Sequence, residues 1–217
     1  MGQLLSAHDQ RFSRRDAGIA LTIFALALAL RLIFLFGAGD RTWPHSLYYE
    51  GDAPLFAEWA AALDRGEAFE LGLPLHAPAV AYLIHWISPP ADLPGGRDFV
   101  RVKVVWCAIS AATWAVFYLV LRAVADRPIA LTAALLGTAS FGSTIAATSL
   151  NSEALYAFLL VLCVGGAMRI AAGGSYWWAP AWGVVNGAAA LTRPEHPLLF
   201  FMPLHGCGSL TEIRGFW

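Results

Sequence analysis

The sequence predicts an all-α protein: a polytopic transmembrane helix bundle of about five to six spans, with two short interfacial helices in the first outer loop. Three observations predict it. Hydrophobic residues make up 58% of the chain and charged residues 13%, whereas a soluble domain carries about a quarter charged residues. Several apolar runs approach the ~20 residues that a helix needs to cross a bilayer. Between the first two runs lies a long loop, 38–98, with nine acids (Asp40, Glu50, Asp52, Glu58, Asp64, Glu67, Glu70, Asp92, Asp98) against Arg41, Arg65 and Arg97.

Residues 1–16 form an N-terminal segment carrying Arg11, Arg14 and Arg15. The first apolar run, 17–37, exceeds the roughly 7–15 residues of a signal-peptide core, which predicts a retained anchor. Gly37-Ala38-Gly39 is a poor match to a cleavage site and is the basis of the competing reading. In the outer loop, Phe56, Trp59, Ala60 and Leu63 recur at helical spacing over 53–63, and Gly66 stops that helix. A second segment, 77–87, places Val80, Ile84 and Ile87 on one face and Tyr82 and His85 on others. Both are too short to span, which predicts helices lying in the interface plane. Pro89, Pro90, Pro94, Gly95 and Gly96 then form a turn-rich link.

Spans two to five are predicted over 99–124, 128–148, 152–172 and 177–191. A sixth apolar piece, 197–204, is too short to cross alone. Trp43, Trp177 and Trp178 fall at predicted span ends, where aromatic belts are expected. The basic residues before span one, Arg122 and Arg127 between spans two and three, and Arg169 at the end of span four fall on one side, expected to be cytoplasmic. The tail 205–217, which includes "CGSLTEIRGFW", reads as irregular and truncated.

A formal net charge of -1 argues against nucleic acid as a partner. Cys107, Cys163 and Cys207 sit in or beside apolar stretches and read as small packing residues. His76 and His85 lie in the outer loop without ligand spacing, and glycine patterns for nucleotide binding are absent.

Ionisable residues at membrane depth are costly and each needs a reason. Asp52, with Glu50 beside it, stands at the start of the first short helix, either as a helix cap or as a general base for an acceptor hydroxyl. Glu153 opens span four, either as a first-turn acid favoured by the helix dipole or as a partner of Asp52 in one outer cavity. Arg193 and Glu195 flank Pro194, which should break span five. Arg193 either binds the phosphate of a lipid carrier or pairs with Glu195 or Glu153. Arg31, near the outer end of span one, is expected to snorkel to the interface.

Four stretches resemble a known family. They are "ALALRLIFLF", "YYEGDAPLFAEWAAALDRGEAF", "LPLHAPAVAYLIHWI" and the pair "SLNSEALYAFLLVL" and "GAAALTRPEHPLLFF". Their order and spacing over 17–204 resemble the N-terminal module of the GT-C fold glycosyltransferases. The bacterial branch related to protein O-mannosyltransferases and aminoarabinose transferases is the nearest in pattern. The resemblance implies transfer of a sugar from a polyprenyl-phosphate donor to a lipid, glycan or protein acceptor, outside a bacterial inner membrane. It implies Asp52 as the catalytic base and Glu153, Arg193, Glu50 and His76 as substrate-binding residues. A divalent metal, Mg or Mn, would take Asp52 and Glu153 as candidate ligands. The chain departs from the family at Ala53, Phe56 and Ala77-Pro78, where relatives have Glu, Tyr and Pro-Pro. Relatives have about twice as many spans and often a further outer domain. The alternatives are a non-catalytic membrane protein of the same fold that binds a lipid or partner, and a transporter subunit.

Overall fold

The computed structural model describes residues 13–37, 51–67, 78–88, 99–173, 175 and 177–197, and among them every regular element is a helix. Eight helices follow in order: α1 (Arg14–Gly37), α2 (Ala53–Asp64), α3 (Ala79–Ile87), α4 (Val100–Arg122), α5 (Arg127–Thr138), α6 (Phe141–Thr148), α7 (Ser152–Ala171) and α8 (Trp178–Ala190).

Three of these, α1, α4 and α7, are long and apolar enough to cross a membrane. A fourth crossing arises if α5 and α6 count as one span bent by 54°. The predicted uninterrupted span over 128–148 is therefore broken. Ser140 is extended and its hydroxyl accepts the Ser143 N–H, restarting the helix as an N-cap. Just before the break, Gly137 lies under Trp114: a Cβ there would sit 2.0 Å from the indole. The predicted fifth span corresponds to α8, whose 13 residues cover about 20 Å, less than the ~30 Å hydrocarbon core. The sixth apolar piece, apart from Pro197, and the tail 205–217 lie outside the described residues.

Helix α4 is the hub, packed against α1, α5, α6 and α7, while α8 packs on α7. Small residues allow this closeness: Gly165 and Gly166 of α7 meet Val120 and Trp182, where a Cβ would come within 2.8 and 2.7 Å. The two short loop helices occur at their predicted places. They do not lie apart. Phe56, Trp59 and Ala60 of α2 and Val80, Ala81 and Ile84 of α3 share one core with Val102, Trp106, Leu150, Ala154 and Leu155. His85 bonds Asp64 at 2.5 Å between the two helices. Gly66, at φ +69°, ends the α2 turn as its sequence position suggests.

The opposite end of the bundle is tied by Asp16, which is 3% exposed. Its carboxylate accepts from Ser13 Oγ (2.7 Å), Tyr118 Oη (2.9 Å), Arg127 Nε (3.1 Å) and Arg122 Nε (3.4 Å). One acid thus joins the start of α1, the end of α4 and the start of α5. Of the arginines predicted to share one side, Arg122 and Arg127 meet there, held by an acid that the loop-by-loop charge reading passed over.

Candidate functional site

Asp52 is the residue before α2, half-buried, and its backbone carbonyl accepts the Phe56 N–H at 3.0 Å. Its side chain does not cap the helix. The reason is local. Asp52 is itself helical in backbone (φ −89°, ψ −1°) and a proline occupies the first turn, whereas a capping side chain needs an extended backbone and free N–H groups at the second or third position.

Gly51 positions Asp52. Its φ of +78° is readily reached only by glycine, and a Cβ would come within 2.8 Å of Asn151 Nδ2. The turn that carries Asp52 is thus seated directly on Asn151, the residue preceding α7, and Glu153 follows two residues later. The Trp106 indole donates to the Asn151 carbonyl at 3.0 Å and holds that strut in place. Among the described residues, Asn151 Oδ1 is buried with no hydrogen-bond partner, an acceptor left over at the seam. Asp52 is not among the residues that line the cavity at Glu153.

Glu153 is exposed in the first turn of α7. It stands at a cavity of about 160 Å³ lined by Ser110, Thr113, Trp114, Ser143, Ala146, Ala154 and Ala157. Behind the two serines lies Arg31. The arginine does not snorkel: it is fully buried. Its Nε donates to Ser110 Oγ (2.8 Å), one terminal nitrogen to the Ala27 carbonyl (2.9 Å) and the other to Ser143 Oγ (2.7 Å). Hydroxyls from α4 and α6 solvate the guanidinium within the bundle, so the chain need not reach the interface. Lys103 is a second fully buried cation, on α4 one turn before Cys107.

Arg193 lies elsewhere. It is not among the residues lining the cavity. It sits 5.6 Å from the Tyr156 ring centre and 3.8 Å from Glu195. The pair with Glu195, one of the two readings of Arg193, is thus present, and the break expected at Pro194 occurs after Ala190. Next to it is a group that sequence reasoning missed. His196, 2% exposed, meets Tyr156 Oη through Nδ1 at 3.2 Å and Asn186 Oδ1 through Nε2 at 3.1 Å. Burial pushes its imidazole below the ordinary value.

Glu50 and His76 lie outside the described residues. Among the described residues, no three His, Cys, Asp or Glu side chains converge as metal ligands. Cys107 and Cys163 are buried free thiols, in keeping with a packing role. Comparison with protein-family models, curated proteins and solved structures finds no match for this chain.

Proposed function

We propose that this chain is a membrane glycosyltransferase module of the GT-C type, taking its donor sugar from a polyprenyl phosphate. The observation that supports the reading is the seating of Gly51 on Asn151, which sets the Asp52 turn against the residue that precedes α7. The four sequence stretches that resemble the family support it as well.

In this mechanism the Asp52 carboxylate takes the proton of an acceptor hydroxyl. The acceptor oxygen bonds to the anomeric carbon as the bond from that carbon to the phosphate oxygen breaks. The electron pair leaves with the lipid phosphate, and the single displacement inverts the configuration. Glu153 orients the acceptor or sugar hydroxyls, and a cation stabilises the departing phosphate, with Arg193 the candidate for that role. The acceptor is a lipid, glycan or protein. The module sits in a bacterial inner membrane with its N-terminus cytoplasmic, the first loop outside, and α2 and α3 at the outer interface. Five to six spans are reached when α8 and the following apolar residues join the bundle.

The test is transfer by the full chain in lipid nanodiscs, supplied with a panel of polyprenyl-phosphate hexoses and pentoses, with products read by mass spectrometry. Asp52→Asn should reduce turnover by about 10²–10⁴-fold, the usual contribution of a general base, with an unchanged unfolding midpoint. Near-wild-type turnover in that variant removes Asp52 as the base. A wild-type chain that binds donors without transferring any favours the non-catalytic lipid-binding alternative.

A further inference from the structure

The cavity beside Glu153 carries a hydrogen-bond polarity of its own. Ser143 Oγ accepts from Arg31 at 2.7 Å and from the Trp114 indole at 2.9 Å. Guanidinium and indole nitrogens have no acceptor capacity, so both lone pairs of that hydroxyl are taken and its own proton must point elsewhere. The nearest internal acceptor, Ser110 Oγ, is 3.4 Å away, beyond the ~2.5–3.0 Å of a good O–H···O bond. The Ser143 hydroxyl is therefore a donor, strengthened by the cation behind it, and Ser143 lines the same cavity as Glu153, whose carboxylate is an acceptor.

The remaining wall is apolar. Ala146, Ala154, Ala157 and the Trp114 ring supply it, and the exposed Glu153 and Ala157 stand at its mouth, on the flank of a candidate span. A volume of about 160 Å³ is below the roughly 300–1,000 Å³ of a site for a drug-sized ligand. It admits a small headgroup while the rest of the molecule stays in lipid.

We propose that this cavity binds the headgroup of a neutral, alcohol-headed lipid. A hydroxyl can accept from Ser143 and donate to Glu153 at once, without carrying a charge into the cavity. A carboxylate or phosphate is repelled by Glu153. An ammonium finds no acceptor at Ser143 and faces the buried charge of Arg31. The site shares Glu153 with the proposed glycosyl-transfer site, but it does not need that reading, because its test reads binding alone.

The experiment exposes the full chain in detergent micelles to photoactivatable diazirine analogues of oleyl alcohol, oleic acid and oleylamine, and maps the adducts by peptide mass spectrometry. Labelling by the alcohol should concentrate on the cavity segments of α4, α6 and α7 and exceed that by the acid or amine at least about tenfold, which is 1.4 kcal/mol. Ser143→Ala should cut alcohol labelling severalfold. Glu153→Gln, a change at an exposed position, should raise oleic acid labelling severalfold by removing the repulsion. The second variant keeps the test open if the first does not fold. Equal labelling by the three probes in the wild type, or acid labelling unmoved by Glu153→Gln, overturns the proposal.

Discussion

At the scale of single residues, the bundle is organised by charges that never reach solvent. Arg31 has three hydrogen bonds, all to neutral oxygens. Two of the three acceptors lie 79 and 112 positions away in sequence, so the chain alone shows an arginine near a helix end, expected to snorkel. Ser143→Ala removes the acceptor of both the guanidinium and the Trp114 indole. Loss of a bond to a charged group costs about 1.5–3 kcal/mol, and a drop in unfolding free energy of that size is expected by denaturant titration in micelles. His196 makes a second residue-scale prediction. Its folded-state value lies below its ordinary 6.5, so the unfolded chain takes up the proton more readily. The stabilisation is fully present above about pH 6.5 and is lost as pH falls through that value towards the folded one. The thermal midpoint should fall between pH 7.5 and 5.5, and His196→Asn should flatten that dependence.

At the scale of elements, helical periodicity was legible where one short stretch decides its own packing. The two loop helices are an example: α2 ends one residue beyond the expected Leu63, and α3 begins two residues later than expected, at Ala79. The faces follow too, with Phe56, Trp59, Val80 and Ile84 buried and Tyr82 exposed. What hydropathy could not show is the break between α5 and α6, because Gly137, Thr138 and Ser140 barely lower the apolar mean. The break follows from a hydroxyl cap and from an indole that fits only over a glycine. Gly137→Ala should cost about 1–3 kcal/mol through overpacking, whereas Ser140→Ala should cost about 1 kcal/mol through loss of the cap. Unfolding titrations of the two variants test the ranking. A Gly137→Ala chain as stable as the wild type would show that Trp114 moves aside without cost.

At the scale of the whole molecule, the chain reads as two ends with different tasks. One end is locked by Asp16 among Ser13, Tyr118, Arg122 and Arg127. The other carries the loop helices, the Gly51–Asn151 seam and the cavity at Glu153. The acidic loop and the paired carboxylates were legible as residue types. The seating of the Asp52 turn on the start of α7 was not, because it depends on a glycine at φ +78° meeting an asparagine a hundred positions later. Gly51→Ala strains that turn and pushes it off Asn151, so it should lower both stability and any sugar transfer, with turnover falling further than the unfolding midpoint accounts for. The central claim is inverting transfer with Asp52 as the base, and the stereochemistry of the product tests it most directly. NMR of the glycosylated acceptor should show the anomeric centre inverted relative to the polyprenyl-phosphate donor, with no product from Asp52→Asn. Retention at that centre, or product that persists without the Asp52 carboxylate, would contradict it.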